Sequence, residues 1–294
     1  MNAHPSPSSS FVNQTKTRLW LWIDVCSACN LQCSLCYTQS IQKKEYLTID
    51  VLEQLLQSIL NCRIAVQKVH LSWKGEPTLN PYFPEVLKTF WEQAPFLELE
   101  WHTNATLLTD DYAAKIISAH PRQKIMLSLD GGNKHSYEQN RGLGMWSRAR
   151  AGSEAILKAR ESVPSVSIGV YQLDLGVKPI DYDPRFTALL NQIDSFEIKR
   201  PVRDDGLSLN VINPGNVPTG PCFWAGNAMA IEPNGDVFTC ILKQGTQIGN
   251  ILHDSLESLI SRAQYLRKNI SSNGRKNAIY KGCRECFKQE GAPH

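Results

Sequence analysis

No stretch of this 294-residue sequence approaches the roughly 18 to 20 consecutive apolar residues that cross a bilayer, so no membrane partner is expected. Charge of one sign is also scarce. The net charge of +3 supplies no strong field for a polyanion, and nucleic acid is not favoured as a partner. The opening "MNAHPSPSSSFVNQTKTR" lacks the apolar centre of a secretory signal. Residues 1–17 read as a disordered tail and the protein as cytoplasmic. No internal repeat of solenoid length is present.

What is present is an ordinary globular balance, 42% hydrophobic and 20% charged, long enough for one large domain and a smaller appendage. The unusual element is cysteine. A reducing compartment does not favour structural disulfides, yet there are nine cysteines. Eight fall in two groups, Cys26/Cys29/Cys33/Cys36 and Cys222/Cys240/Cys283/Cys286, with Cys62 alone. Tight grouping with an odd total points to metal rather than to a disulfide framework.

Strand-like and helix-like segments alternate through the first two thirds. "RLWLWIDV", "KVHLSW", "FLELEWH", "KIMLSLD", "SVSIGVYQL" and "SFEIKR" read as strands. Between them, helical periodicity follows Thr48 (Val51, Leu52, Leu55, Leu56, Ile59, Leu60) and recurs over 82–93, 109–119 and 145–161. Six strands with helices between them imply parallel pairing through right-handed crossovers. The expected fold class is α/β, a partial (β/α)6 barrel with its chemistry at the strand C-termini. The Gly/Pro/Asn-rich stretch after residue 204 marks a boundary. The expected domains are therefore 18–204 and a small one over 205–294. The latter opens with an Asn234-Gly235 hairpin and carries a helix near 254–268.

Cys29-x3-Cys33-x2-Cys36 follows the first strand. Three thiolates can hold three irons of a [4Fe–4S] cluster and leave the fourth open, as catalytic metal sites do; a zinc site is the alternative. "CNLQCSLCY" resembles the cluster loop of the radical S-adenosylmethionine (SAM) superfamily. That resemblance implies a partial barrel whose open iron is chelated by SAM. It also implies reductive SAM cleavage to a 5′-deoxyadenosyl radical that abstracts hydrogen from an unactivated C–H bond. An electron donor such as flavodoxin or ferredoxin would be needed.

Further segments carry the resemblance. "WKGEPTLNP" is similar to the family's Gly-Gly-Glu-Pro segment, which implies that Gly75, Glu76 and Pro77 help hold SAM. Lys74 stands where the first glycine would be, which puts the close backbone approach there in doubt. "HTNATLLT" resembles a Thr-Asn-Gly segment, placing Asn104 at the cofactor with Ala105 for glycine. "LSLDGG" resembles a Ser-Leu-Asp-Gly strand end and makes Ser128 and Asp130 candidates for the SAM ribose or the substrate. Arg141 is a candidate for the SAM carboxylate, with a solvated surface arginine as the alternative.

The second group, Cys222-x17-Cys240 and Cys283-x2-Cys286, offers four thiolates and so a closed site. The segment resembles the twitch domain, the shortened SPASM domain of radical SAM enzymes. The resemblance implies one auxiliary [4Fe–4S] cluster that moves electrons; a four-cysteine zinc site is the alternative. Cys26, at the mouth of the first strand, is a candidate catalytic hydrogen-atom donor or else a packing residue. Cys62 reads as a buried thiol. Arg200 and Arg203 are candidates for binding substrate.

The resemblance implies, first, maturation of a ribosomally made peptide by epimerisation, cross-linking or backbone excision. About eighteen residues precede the first strand, so a separate leader-binding protein would be required. Dehydrogenation or epimerisation of an aminocyclitol or sugar, a small polar molecule, is the alternative. A non-catalytic zinc-binding protein is the reading from another class.

Overall fold

The inward and outward faces of the strands are set by their sequences. In "ELEWHT" the apolar Leu99 and Trp101 alternate with Glu98, Glu100 and His102. Val69 and Leu71, Leu99 and Trp101, Ile125 and Leu127, and Ile168 and Val170 all turn outward into one core beneath the helices. Their polar neighbours are left to the concave side.

The computed structural model describes residues 19–62, 64–199, 227–241, 245–273, 277 and 279. Six strands succeed one another: β1 (Leu19–Ile23), β2 (Val66–His70), β3 (Glu98–Thr103), β4 (Gln123–Ser128), β5 (Ser167–Leu173) and β6 (Ser195–Lys199). Each pairs in parallel with the next. The helices α1 (Ile49–Asn61), α2 (Phe83–Gln93), α3 (Asp110–Ala119), α4 (Lys134–Arg141), α5 (Met145–Arg160) and α6 (Pro184–Leu190) lie between them. Thr48, Thr109 and Asn133 cap α1, α3 and α4 through side-chain oxygens that accept from the third residue on.

Three more strands, β7 (Ala228–Ile231), β8 (Asp236–Phe238) and β9 (Gln247–Asn250), are followed by α7 (Leu256–Asn273). The hairpin joins the barrel sheet. β7 pairs in parallel with β1, giving the order β6-β5-β4-β3-β2-β1-β7-β8-β9. The change of composition near residue 204 therefore falls between strands of one sheet. The sheet stays unclosed, as a partial barrel requires.

Two helices, α4 and α6, go beyond the sequence reading. The α4 stretch "KHSYEQNR" is polar almost throughout, so it has no apolar stripe to reveal it. Among the described residues no helix is long and apolar enough to cross a membrane.

Candidate active site

The loop after β1 carries the first cysteine group and is tied down on three sides. From the turn after β2, the Glu76 N–H donates to Ala28 O (2.8 Å). From the turn after β3, Asn104 Nδ2 donates to Asn30 Oδ1 (2.9 Å) and lies 4.0 Å from Cys29 Sγ. From α4, Asn140 Oδ1 accepts from Ser34 Oγ (3.0 Å) and the Leu35 N–H (3.1 Å). Asn140 went unnoticed in the sequence because its helix did.

Cys29, Cys33 and Cys36 line one wall of a cavity of about 400 Å³ at the strand C-termini. None of the three is in a disulfide. Burial pushes the Cys29 thiol up to about 12 and raises Cys33, with Arg141 pulling Cys33 the other way. A metal cluster seated there must discharge those protons. Among the described residues no three His, Cys, Asp or Glu side chains converge on a single ion. A cluster does not require that, since each thiolate binds a different iron, and the donor set suits it.

Gly75 sits where a Cβ would lie 2.0 Å from Ala28 O and 2.3 Å from Cys26 O. The close backbone approach that Lys74 put in doubt is made by Gly75. Glu76 is buried, and protein donors occupy its carboxylate. Oε1 accepts from Thr78 Oγ1 (2.7 Å) and Thr103 Oγ1 (2.7 Å), and Oε2 accepts from the Asn104 N–H (2.7 Å). Pro77 opens a 3-10 turn over Pro77–Leu79. The carboxylate thus fastens the turn after β2 to the turn after β3, and burial is the main reason its pKa is raised.

Asp130 is fully buried. Oδ2 accepts from Arg141 Nε (2.6 Å) and Asn140 Nδ2 (2.7 Å), and Oδ1 accepts from the Leu173 N–H (2.9 Å). Its oxygens are committed to the protein, while Ser128 lies on the cavity wall. Arg141 is not a solvated surface residue. It lines the cavity, paired with Asp130 and close enough to Cys33 to affect its thiol.

Cys26 is not brought to the cavity. It is buried, forms an antiparallel bridge with Tyr46, and its thiol donates to Ala28 O (3.2 Å). Burial pushes that thiol up to about 12. The bridge turns the side chain into the packing, so the structure supports the packing reading rather than that of a hydrogen-atom donor. Cys62 caps the end of α1.

Cys240 follows β8 and packs, partly buried, against the patch formed by Trp22, Trp73, Ala228 and Ala230. Beside it, Trp73 Nε1 donates to Ile241 O (2.6 Å). Cys222, Cys283, Cys286, Arg200 and Arg203 lie outside the described residues.

The floor of the cavity carries no motif in the sequence. His70, Glu100, His102, Glu197 and Lys199 line it together with Lys68, Trp20, Trp22 and Tyr171. Glu100 is the hub. Oε2 lies 2.8 Å from Lys68 Nζ and 3.3 Å from Lys124 Nζ; Oε1 lies 3.3 Å from His70 Nδ1 and 3.6 Å from His102 Nε2. Burial alone would raise the Glu100 carboxyl, but His102, His70 and Lys68 together hold it well below the usual range. Burial pushes His70 down to about 3.

Three thiols on one cavity wall, an open barrel and a hairpin bearing a further cysteine suit an iron–sulfur protein. The family comparison agrees. The radical SAM superfamily model matches residues 23–174, just over half of the chain, and an iron-sulfur cluster-binding domain of the SPASM type matches residues 222–287. The chain belongs to the radical SAM superfamily, and its cofactors are SAM and [4Fe–4S] clusters.

Solved structures share the fold at low identity. The enzyme anSMEcpe with bound AdoMet superposes with a TM-score of 0.64 at 18% identity, over 85% of this chain and 83% of that one. BtrN in complex with AdoMet and 2-DOIA gives 0.60 at 13%, over 92% and 93%. SuiB of Streptococcus suis bound to S-adenosylmethionine gives 0.53 at 16%, over 92% and 70%. Comparison with curated proteins gives no match.

If Cys29, Cys33 and Cys36 hold the SAM cluster, replacing any one by Ser should remove about four of the eight irons expected per chain. It should also abolish 5′-deoxyadenosine formation, whereas Cys26→Ser should keep both. Iron analysis of the anaerobically reconstituted variants checks this. Full iron in Cys33→Ser would remove the assignment.

Proposed function

We propose that this enzyme removes hydrogen from a carbon bearing a hydroxyl or amino group in a small polar substrate, in dehydrogenation or epimerisation of an aminocyclitol or sugar. When bound, the cluster and SAM supply a 5′-deoxyadenosyl radical that takes the hydrogen atom. The chain's own residues provide the rest. Cys29, Cys33 and Cys36 present the cluster ligands, and Glu76 holds the turns after β2 and β3 together around the cofactor wall. Arg141, fixed by Asp130, offers a cation at the same wall.

The observation that carries this reading is the floor. Strand positions facing the inside of a barrel are usually filled by apolar side chains. Here Lys68, Glu100, His102, Glu197 and Lys199 line the space beneath the thiols instead. Closely spaced charges of both signs suit a substrate dense in hydroxyl and amino groups. The near-complete mutual coverage with BtrN, whose structure holds 2-DOIA, is in keeping with it.

Peptide maturation, the first expectation from the sequence, is the second reading. It is favoured by the likeness to anSMEcpe, which has been solved with a bound Cp18Cys peptide. An external low-potential donor of the flavodoxin or ferredoxin kind would serve either reaction.

The test is anaerobic reconstitution with SAM and dithionite, followed by 5′-deoxyadenosine release in the presence of 2-DOIA, myo-inositol or a Cys- or Ser-containing 18-residue peptide. Release stimulated by the cyclitols, with a carbonyl or epimer formed, supports the first reading. Stimulation by the peptide alone transfers the assignment to the second.

A further inference from the structure

The inward residues of β3 form a vertical series beneath the cofactor wall. Asn104 is at the top, with its N–H on Glu76 and its side chain beside Cys29. Two residues down the chain direction of a strand is about 6.6 Å, so His102 occupies the next layer below and Glu100 the one after. His102 therefore stands between the cofactor wall and Glu100 in the same cavity.

The two histidines on the Glu100 carboxylate are not equivalent. The His70 side chain is 9% exposed, stacks on Trp22 with centroids 4.3 Å apart, and its Nε2 is buried without a partner. The His102 side chain is 29% exposed and stands on the cavity wall, its ring edge-on to Tyr171 at 5.0 Å. Its backbone N–H is fixed by Ser72 Oγ (3.3 Å). Its Nε2 lies 3.6 Å from Glu100 Oε1.

We propose that His102 is the catalytic base of this site, taking the proton of the substrate's hydroxyl as the carbon radical is oxidised, and that Glu100 is its positioning residue. The inference rests on the small-polar-substrate reading above. The balance is as follows. The C–H hydrogen atom leaves as part of 5′-deoxyadenosine, and a carbon radical still bearing O–H remains. The O–H bond would break with its proton passing to His102, and the C=O bond would form as one electron leaves to a one-electron acceptor of the iron–sulfur class, the chemistry an auxiliary cluster supplies when bound. Loss of the hydrogen atom makes the O–H far more acidic, and removing its proton makes the radical a stronger reductant. A base at that position thus drives the electron out.

Glu100 is suited to steady the imidazolium so formed. Lys68 on β2 and Lys124 on β4, the strands beside β3, and Lys199 on β6 act against it. Glu197 on β6 offsets two of them, lying 3.4 Å from Lys124 Nζ and 3.3 Å from Lys199 Nζ.

The test uses the reconstituted holoenzyme with C-deuterated myo-inositol and 2-DOIA. In His102→Gln, deuterium should still appear in 5′-deoxyadenosine at a rate within about threefold of wild type. The carbonyl product should fall on the order of 100-fold, so that the two uncouple. In Glu100→Gln the same uncoupling should appear, and Glu100→Asp should restore part of the lost ratio of product to 5′-deoxyadenosine. A purely structural role for Glu100 would leave that ratio in place. Iron content and SAM binding, measured on each variant, confirm that the cluster site is intact.

An unchanged ratio of product to 5′-deoxyadenosine in His102→Gln overturns the role of His102 while leaving the substrate reading standing. Failure of the wild type to abstract deuterium from either cyclitol overturns the substrate reading, and the base assignment with it.

Discussion

Gly75→Ala should yield a protein that keeps the fold but loses the SAM cluster. The Cβ would meet Ala28 O at 2.0 Å, Cys26 O at 2.3 Å and Ala28 C at 2.6 Å. All three are backbone atoms, so no side-chain rotation can relieve the clash. The reason for glycine here is close approach of two chains, not an unusual dihedral. Separation of the two loops breaks the Glu76 N–H to Ala28 O bond and displaces Cys29, the next residue. The expected readout is a fall from about eight to about four irons per chain and loss of 5′-deoxyadenosine formation. Cys62→Ser, remote from that contact, should do neither. Full iron together with normal SAM cleavage in Gly75→Ala would show that the loops can part without cost.

The contrast between Gly75 and Lys74 indicates what the sequence made legible. Features encoded by local spacing were readable, namely the cysteine triplet, the six strands and the Asn-Gly hairpin turn. Features that depend on distant chain segments were not. Cys26 sits in the same loop as the ligands, yet a bridge to Tyr46 turns it into the packing. Arg141 had two readings until Asp130, on another element, was seen to hold it at the cavity. In "ELEWHT" the alternation identifies a strand, but charged positions on a strand ordinarily face water. Only closure of the sheet around a cavity shows that Glu100 and His102 face inward. The helix bearing Asn140 was hidden by its polarity.

The largest effect on stability should come from breaking the ion pair of Lys74, whose partner lies 158 positions away. Its side chain is 3% exposed, and its ammonium is paired with Glu232, the residue after β7. It also stands over the Trp73 ring at 4.5 Å and the Phe238 ring at 5.9 Å. Its main chain is held as well: the N–H donates to Asp24 Oδ1 (3.1 Å), and the carbonyl accepts from Thr38 Oγ1 (3.0 Å) and Gln42 Nε2 (3.1 Å). Asp24 is itself fully buried, and burial pushes its carboxyl up to about 6. The residue that replaces the family's first glycine therefore joins the SAM-side turn to the hairpin bearing Cys240.

Breaking a buried pair from one side leaves the other charge without compensation, at a cost of about 3 to 5 kcal/mol. Glu232→Gln should approach that range, because Lys74 is then buried among aromatics without its paired carboxylate. Lys74→Met should cost less, since Lys43 Nζ remains 3.2 Å from Glu232 and is half exposed to solvent. The double variant Lys74→Met/Glu232→Gln removes both charges and should be more stable than Glu232→Gln alone. Urea midpoints of the anaerobically reconstituted proteins, arranged as a double-mutant cycle, measure the coupling. Additive single effects would mean that the pair does not join the two parts of the sheet. Strong coupling would make Lys74 the link through which any disturbance of the hairpin reaches the turn that carries Gly75 and Glu76.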